Sequence, residues 1–414
     1  MAKKIAVIGG GIVGVCSALD LQQAGHDVTL IDRKQPGRET SYGNAGVLSE
    51  SSVLVINNPV LLRRLPGLML NQSTGLRYNP LFLLKRLPWV LKFLSYCTKS
   101  HAQHASKALR ALMLISIGQH KSWINEAKVS HLLRYAGWMK LFRTQKGFDG
   151  FSAEIETMAE TGVKFTIYDR EQIRQLEPGL APIYEKAVLM DETCGVSSPA
   201  ELTDAYIAMF IAAGGTVLKT DVTGLKPLDK GFDVIHADGA LAFEEVVVAA
   251  GPWSADVAKW VGYDVPMGWE RGYHMHLEPD DVPQLGRAAH DVEGGFAIAP
   301  MRQGVRITSG VELEHRDAPP NYTQIKKAVA EARKIHKMKG EIDAEPWMGR
   351  RPTLIDSLPI VGPAPRHKGL WFNFGHQHIG LSMAPGSAKL ITSMIDGKAA
   401  PIDASPYRAD RFPI

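Results

Sequence analysis

Three glycines near the start of the chain, and one acid after them, have the spacing that most clearly predicts chemistry. Gly9, Gly11 and Gly14 form a G-x-G-x-x-G pattern after the apolar run at 5–8. In a strand–turn–helix context these glycines permit a tight turn, close backbone approach to a pyrophosphate, and close packing of the helix on the strand. Asp32 is the last residue of the next apolar run, at 26–32. A carboxylate at the end of such a strand can accept hydrogen bonds from the two hydroxyls of a ribose. The stretch predicts a dinucleotide site, and the acid favours FAD or NAD over NADP.

The elements that must position these residues can be read from the hydrophobic pattern. A helix is predicted from about 12 to 24, closed by Gly25, with a strand over 26–31. The helix N-terminus would direct free N–H groups and a positive dipole end at the phosphates. The Val/Ala run 246–249 is typical of a central parallel strand buried on both faces. Its small terminal residues would lie at the ligand-binding edge of a doubly wound sheet.

A second layer is predicted from alternating patterns. Residues 265–310 alternate apolar and polar side chains, as a half-exposed antiparallel sheet does, and 321–338 read as a charged surface helix. The predicted fold is therefore α/β, with a Rossmann-like nucleotide-binding domain and a second α+β domain on a mixed, largely antiparallel sheet. The nucleotide-binding domain is expected to be discontinuous, and the substrate domain is expected to fill the gaps. The expected boundaries are 1–57, 186–264 and 347–414 for the first domain, and 58–185 and 265–346 for the second.

Residues 58–100 combine leucines, aromatic residues and basic residues, interrupted by prolines. Short, basic, amphipathic segments with a Trp suit peripheral membrane contact, here through 60–95. The same pattern suits short helices that pack on the substrate domain with their basic ends in water. The sequence leaves both interpretations open. A longer helix over about 102–130 is expected to pack in the core.

Composition limits the function classes. The 414 residues carry a formal net charge of +4, and no Lys/Arg block suggests nucleic-acid binding. The three cysteines are far apart and fit neither a disulfide framework nor a zinc site, which suggests a reducing compartment. No apolar run is long enough to span a membrane, and the first strand begins too early for a signal peptide. A cytoplasmic protein is expected, with peripheral attachment to the inner membrane as an option.

Several blocks occur in the order found in one family. After the glycine motif come TSYGNAG at 40–46, VVVAAGPWS at 246–254, GRRPTLIDSLPIVG at 349–362 and FGHQHIGLSMAPGSAKLI at 374–391. The chain resembles the FAD-dependent D-amino-acid oxidase superfamily over essentially its full length, and is most similar to the bacterial D-amino-acid dehydrogenase branch. The resemblance implies non-covalent FAD, since no cysteine lies in 346–362. It implies a set of cofactor contacts at Gly9, Gly11, Ile12, Val13, Gly14, Asp32, Arg33, Ser41, Asn44, Ala45, Gly46, Val222, Ala250, Gly251, Trp253, Gly375, Gly380, Leu381 and Ser382.

The resemblance also implies substrate-binding residues. Arg351 matches the arginine that grips a carboxylate in the family, although neighbouring Arg350 leaves the register open by one. Tyr273 stands where a tyrosine often shares that carboxylate. His376 and His378 depart from the usual text of the family at this loop, and His376 is expected to orient the substrate or contact flavin. Because no Cys or carboxylate lies near the His376–His378 pair in sequence, no metal site is predicted.

The implied reaction is oxidative deamination. Hydride from a bound D-amino acid would pass to flavin N5, and the imino acid would hydrolyse to a 2-oxo acid and ammonia. Electrons would go to a quinone or another acceptor. Glycine, sarcosine or a cyclic imino acid such as D-proline or hydroxy-D-proline are alternative substrates, and a flavin-bearing subunit without its own turnover is an alternative class.

Overall fold

A computed structural model describes residues 1–68, 71 and 75–414. Within these residues the helices are α1 (Ile12–Gln23), α2 (Pro59–Leu68), α3 (Pro80–Lys85), α4 (Leu87–Ser95), α5 (Lys99–Glu126), α6 (Gln145–Asp149), α7 (Ser152–Glu160), α8 (Arg170–Leu176), α9 (Pro199–Ala212), α10 (Ser254–Lys259), α11 (Thr323–Ile335) and α12 (Gly380–Ile395). The strands are β1 (Lys4–Ile8), β2 (Asp27–Asp32), β3 (Val47–Leu48), β4 (Leu76–Tyr78), β5 (Leu133–Arg134), β6 (Trp138–Phe142), β7 (Phe165–Asp169), β8 (Lys186–Met190), β9 (Cys194–Val196), β10 (Thr216–Lys219), β11 (Val222–Pro227), β12 (Phe232–His236), β13 (Gly239–Phe243), β14 (Glu245–Val248), β15 (Met267–Pro279), β16 (Ala288–Asp291), β17 (Phe296–Met301), β18 (Gly304–Thr308), β19 (Val311–Leu313), β20 (Met338–Glu341), β21 (Trp347–Leu354), β22 (Ile360–Pro363) and β23 (Leu370–Phe374).

The glycine motif lies on the first of two main sheets. This sheet has the order β10-β2-β1-β14-β23-β22, and all its pairs are parallel except β22 with β23. The valines of β14 are fully buried between β1 and β23. The prediction of a central parallel strand at 246–249 is therefore confirmed, because only a strand covered on both faces tolerates such an apolar run.

The turn from β1 into α1 requires glycine at two positions. Gly9 has φ +110°, and a Cβ there would lie 2.5 Å from the carbonyl oxygen of Ala249. A Cβ on Gly14 would lie 1.8 Å from the Gly9 oxygen. Helix α1 can therefore approach β1 only because both positions lack a side chain.

The second main sheet is large and mostly antiparallel. Its strands follow the order β4-β19-β15-β18-β17-β16-β6-β8-β7, with β20 and β21 also paired to β15. The β16–β6 and β19–β4 pairs are parallel, so the sheet is mixed. The predicted α/β fold with a mixed, largely antiparallel second sheet is confirmed, and α11 packs on this sheet through Ile325, Ala328 and Ala332.

Two elements pack differently from the expected division of the chain. Helix α5, expected in the substrate domain, packs against α12 and shares a hydrophobic core with α1. Strand β8, expected in the nucleotide-binding domain, lies between β6 and β7 of the large sheet. Since apolar faces pack where partners are available rather than by chain order, the boundaries stay a prediction, and these two elements depart from it.

The described residues of the 58–98 stretch form the short helices α2, α3 and α4 and the strand β4. Helix α3 begins after Asn79, whose side chain accepts N–H groups of Leu81 and Phe82, and Pro88 lies in the first turn of α4. Strand β4, which pairs with β19, was not predicted from the sequence. In the described part of the chain, no helix is long and apolar enough to cross a bilayer.

Candidate active site

A cavity of about 1320 Å³ opens at the carboxyl ends of β1, β2, β14 and β23 and continues under the large sheet. Ile8, Asp32, Ala249 and Phe374 line it from the parallel strands. This is where doubly wound sheets bind ligands. The volume exceeds the roughly 300–1,000 Å³ of most ligand pockets, so there is room for a large cofactor together with a substrate.

The structure brings nearly all of the predicted cofactor residues to this cavity. Gly14 and Gly46 do not line it: Gly14 lets α1 pack on β1, and Gly46 accepts the N–H of Val196 through its carbonyl oxygen. The predicted residues that do line it are Gly9, Gly11, Ile12, Val13, Asp32, Arg33, Ser41, Asn44, Ala45, Val222, Ala250, Gly251, Trp253, Gly375, Gly380, Leu381 and Ser382.

The carboxylate of Asp32 is fixed in place at one end of the cavity. Its Oδ2 accepts the Gly10 N–H at 2.6 Å, and its Oδ1 accepts the Lys34 N–H at 2.8 Å. Beside it, the Arg33 guanidinium lies 4.0 Å from the centre of the Trp253 ring. A carboxylate at the tip of β2 beside an aromatic–guanidinium pair suits the ribose and adenine of a dinucleotide.

Two long helices direct their N-termini into the cavity, and neither has an acid in its first turn or a side-chain hydrogen bond from its own N-cap residue. Helix α1 contributes Ile12 and Val13, and α12 contributes Gly380 and Leu381. Uncapped N-termini offer N–H groups and positive dipole ends to anionic or carbonyl oxygens. The two helices fit the pyrophosphate and the pyrimidine carbonyl of FAD, which is therefore chemically compatible with these residues.

The loop 41–46 is held on both sides. Ser41 Oγ accepts the Ile12 N–H at 2.9 Å, and Asn44 Nδ2 donates to the His378 oxygen at 3.3 Å. Behind the loop, Arg306 donates from Nη1 to the carbonyl oxygens of Tyr42 and Asn44. Nothing in the sequence singles out Arg306, because its role depends on β18 lying next to this loop.

His276 anchors Arg306 in turn. Arg306 Nε donates to His276 Nε2 at 3.0 Å, and His276 Nδ1 lies 2.8 Å from Asp343 Oδ2. His274, His276 and Asp343 place possible ligand atoms within 4.8 Å of one another. Both nitrogens of His276 already have partners and the guanidinium is adjacent, so this cluster is suited to holding Arg306 rather than a cation.

Arg351 points into the cavity from β21. It lies opposite Glu270 in the antiparallel β15–β21 pair, and its Nη2 would be 2.4 Å from a Cβ on Gly272. Within the described residues, its guanidinium has no hydrogen bond or ion pair. Arg350, one residue earlier, faces the other side of the strand and donates from Nε to the Arg316 oxygen at 2.7 Å. The alternation of β21 therefore favours Arg351 over Arg350 as the cavity cation.

Glu270 is a buried acid that the sequence analysis did not identify. Thr353 donates to its Oε1 at 2.8 Å, and its buried Oε2 has no partner among the described residues. Burial raises the pKa of Glu270, and the charge of Arg351 partly opposes this effect. A single acid within a strand does not by itself indicate a functional site. Glu270 could have been identified only from the strand register that places it opposite Arg351.

Tyr273 does not occupy the position expected of it. Although it contributes to the cavity wall, its hydroxyl donates to Glu312 Oε2 at 2.5 Å and accepts from Arg271 and from the Asn321 N–H. Successive residues of a strand face opposite sides, so Tyr273 faces α11 while Glu270 and Gly272 face Arg351. The role of this hydroxyl on a substrate carboxylate stays a prediction, and these three contacts do not favour it.

His376 lines the cavity and is held from behind. Its Nε2 lies 3.1 Å from Ser387 Oγ in α12, and burial lowers its pKa to about 3. His378 also lines the cavity with its surface exposed, and desolvation by the surrounding protein and the charges of Arg351 and Lys140 lower its pKa. Both rings are neutral near pH 7 and serve as polar, uncharged contacts.

The far end of the cavity comes from residues the sequence analysis did not connect with the site. Helices α3 and α4 contribute an apolar wall that includes Leu83, Trp89 and Phe93. Strand β6 of the large sheet contributes Trp138 and Lys140. The apolar spacing of α3 and α4 could have indicated a buried face, but not that the face covers a ligand.

The glycine turn, the fixed Asp32 and the two helix N-termini together form a dinucleotide-binding site. Comparison with known proteins agrees: residues 4–394 match the family described as DAO, FAD dependent oxidoreductase. The chain belongs to this family.

Similar proteins cover the chain almost completely. A D-amino-acid oxidase of Bradyrhizobium diazoefficiens is 31% identical over 99% of each chain, and D-amino acid dehydrogenase 2 of Mesorhizobium japonicum is 29% identical over 97% of this chain and 98% of its own. Glycine oxidase from Geobacillus kaustophilus has a similar fold, with a TM-score of 0.77 at 19% identity and 99% coverage of both chains. L-proline dehydrogenase from P. horikoshii also has a similar fold, with a TM-score of 0.77 at 18% identity. The match covers 99% of this chain and 98% of that chain.

Proposed function

We propose that this protein oxidises D-amino acids to 2-oxo acids and ammonia, with non-covalent FAD as its cofactor. The observation that carries this proposal is the guanidinium of Arg351, which lies in the cavity with no hydrogen bond or ion pair to any described residue. Glu270 balances the charge of Arg351 only in part, and a substrate carboxylate would add a charge-assisted, bidentate partner for its N–H groups. The names of the two relatives support the substrate class. In the described chain no cysteine lines the cavity, which supports a non-covalent cofactor.

Arg351 would grip the α-carboxylate through two parallel N–H groups and so fix the direction of the Cα–H bond. The neutral rings of His376 and His378 would contact the substrate without competing for its charge. When bound, FAD supplies the two-electron acceptor. The apolar wall of Leu83, Trp89 and Phe93 would exclude water from the amine, and the imino acid would hydrolyse after release.

A smaller or cyclic substrate is the second candidate. The fold is shared with glycine oxidase and L-proline dehydrogenase, so glycine, sarcosine, D-proline and hydroxy-D-proline belong in any substrate test. A secondary amine could use the same carboxylate contact with Arg351.

The electron acceptor is proposed to be a quinone reached at a membrane surface. Helices α3 and α4 cover the cavity with one face and expose leucines on the other. Leu81, Leu84, Leu87 and Leu91, called here the outer leucine patch, are 70%, 67%, 43% and 58% exposed. Lys85 and Lys92 lie in the last turns of the same helices. Exposed leucines with lysines suit peripheral attachment to an anionic membrane.

The test is anaerobic reduction of the bound flavin by a panel of D-, L-, N-methyl and cyclic amino acids. We expect loss of the flavin absorbance band with D-amino acids and little change with their L-enantiomers. Peroxide formation in air distinguishes an oxidase from a dehydrogenase. A protein that binds FAD but is bleached by no amine would contradict the proposal and favour a flavin-bearing subunit without turnover.

A further inference from the structure

The paired strands β15 and β21 carry few side chains on the face that meets the cavity. Residues directly opposite each other in an antiparallel pair share a face. The three opposed pairs of this face are Gly268 with Thr353, Glu270 with Arg351, and Gly272 with Gly349. Three of the six residues are glycines, so only one acid, one cation and one hydroxyl rise from it. This polar group has the size of a small ligand that carries both charges.

Two tryptophans close the ends of this face. A Cβ on Gly268 would lie 2.5 Å from the Trp89 ring, and a Cβ on Gly349 would lie 2.2 Å from the Trp347 ring. Both indoles therefore pack directly on the strands, and both line the cavity. The polar group between them is enclosed by apolar rings, where water screens charges weakly.

The acid and the cation lean apart along the strands. A Cβ on Gly272 would lie 2.4 Å from Arg351 Nη2, so the guanidinium lies over that glycine. Glu270 leans the other way, because the Thr353 hydroxyl donates to its Oε1 at 2.8 Å. Its buried Oε2 has no hydrogen-bond partner among the described residues, and no ion pair joins it to Arg351 there. The two groups therefore flank a space in which a ligand can contact both.

Arg351 is the one charge that acts on the pKa of Glu270 within the described chain. Burial raises this pKa, and the charge of Arg351 and the Thr353 hydrogen bond oppose the rise. The titratable neighbours His274 and His376 are neutral near pH 7, since burial lowers their pKa values to about 2 and about 3. Among the described residues, α4 and β19 add only uncharged side chains to the cavity.

A substrate carboxylate would change this balance. It would pair with Arg351 and so compensate the charge that favours the ionised form of Glu270. Glu270 would then hold a proton more readily, at the moment when the substrate ammonium arrives beside it. Oxidation requires the free amine, because the electron pair on nitrogen forms the C=N bond as hydride leaves Cα. The ammonium must therefore lose a proton inside the cavity or before it enters.

We propose that Glu270 binds the ammonium of the substrate and accepts one of its protons. An N–H bond breaks and an O–H bond forms, so the ammonium and the carboxylate become a free amine and a carboxylic acid. No electrons are exchanged in this step. Glu270 lines the cavity with only 5% of its surface exposed, which restricts the contact to a group as small as an ammonium. This inference rests on the proposed function and adds the base of the reaction.

The first test is the pH dependence of anaerobic flavin reduction, with the FAD-loaded protein and the D-amino acid that reduces it fastest. Glu270→Gln keeps an oxygen that can accept the Thr353 hydroxyl but cannot accept the proton. Its kcat/KM at pH 7 should be at least about a hundredfold below that of the wild type. Between pH 7 and pH 9 the kcat/KM of this variant should rise about tenfold per unit, since the free amine must come from solution. The wild type should change by less than about threefold over the same range.

Two further variants complete this test. Glu270→Asp keeps a proton acceptor, so its kcat/KM should have the shallow pH dependence of the wild type even if it is lower at every pH. Glu278→Gln, at an exposed acid at the end of β15, is the matched control and should behave as the wild type does.

Ligand binding gives a second readout that does not depend on turnover. 2-Aminoisobutyrate has no hydrogen on Cα and cannot be oxidised, and pivalate has the same shape with a methyl group in place of the ammonium. Both are titrated against the flavin spectrum. Glu270→Gln should weaken the binding of 2-aminoisobutyrate at least about tenfold and should not weaken that of pivalate.

The outcomes separate this inference from the proposed function. If Glu270→Gln keeps the wild-type pH profile and binds 2-aminoisobutyrate as tightly as the wild type, the inference fails and the proposed function stands. If no D-amino acid reduces the flavin of the wild type, the proposed function is contradicted, whatever the two ligands show.

Discussion

Arg351 and Arg350 are adjacent in sequence, but their side chains point to opposite faces of β21. They therefore form a matched pair for testing the carboxylate contact. Replacing Arg351 with Met should lower kcat/KM for an amino acid roughly a hundredfold, since losing one partner of a buried charged contact costs about 3 kcal/mol. FAD should remain bound. The measurement is steady-state kinetics with a dye acceptor beside the flavin content of the purified protein.

Arg350→Met is the control for this prediction. Arg350 donates to a backbone oxygen and lies 5.7 Å from the Trp253 ring centre, outside the cavity wall. We expect a change in kcat/KM of less than about threefold, as for most substitutions away from a site. Equal losses in the two variants would contradict the assignment of the carboxylate to Arg351.

At the scale of the element, two glycines of the β1–α1 turn are expected to have different roles, one in stability and the other in FAD binding. Gly14→Ala would place a Cβ 1.8 Å from the Gly9 oxygen, so the helix must shift and stability should fall by about 1–3 kcal/mol even without FAD. Gly11→Ala would meet only Ser41 Oγ at 3.4 Å, and Gly11 has an ordinary φ of −68°. We expect the Tm of the FAD-free protein to be preserved and FAD affinity to fall at least about tenfold. Calorimetry and flavin titration measure the two effects, and equal loss of Tm in both variants would refute the distinction.

His120 joins three helices and makes their packing pH-dependent. Its Nε2 donates to the Leu381 oxygen at 2.8 Å in α12, so its Nδ1 accepts the Tyr206 hydroxyl of α9 at 2.7 Å. Burial lowers its pKa to about 4, against about 6.5 when unfolded. The unfolded state therefore binds more protons between these values, and stability falls as pH falls through this window. This ring should contribute a loss of about 2 kcal/mol between pH 7 and pH 4.5.

The measurement is urea unfolding of the wild type and His120→Gln at both pH values. The variant keeps an amide donor for Leu381 and should lose this part of the pH dependence. His131→Gln, at an exposed histidine, should keep it. If the free energy of unfolding of His120→Gln fell with pH as much as that of the wild type, protonation of this ring would not be a cause of the loss of stability in acid.

At the scale of the whole molecule, the helices that close the cavity also carry the outer leucine patch. Flotation with anionic vesicles at low salt should recover the wild-type protein. Replacing Leu81 and Leu84 with Gln should reduce recovery at least about tenfold, since each leucine contributes about 1.5–3 kcal/mol when buried. Leu114→Gln, at a 47% exposed leucine of α5, is the control. Wild-type protein that stays unbound under these conditions would rule out the membrane proposal.

The short-range features of this protein could be predicted from its sequence. The glycine turn, helix α1, strand β14 and the acid at position 32 each depend on neighbours within about thirty residues, where spacing and hydrophobic period specify geometry. The resemblance of the later blocks then indicated FAD, in agreement with the family match.

Only the tertiary structure decided which side chains share the cavity. Arg351 was separated from Arg350, and Tyr273 was turned away from the site, by strand alternation in β21 and β15. Glu270, Lys140 and Arg306 had no signal in the sequence, because each reaches the cofactor cavity or its loop through pairing between strands distant in the chain. A register shift of one residue reverses the face of every side chain in a strand, so only the assembled sheet determines which of them meet the substrate.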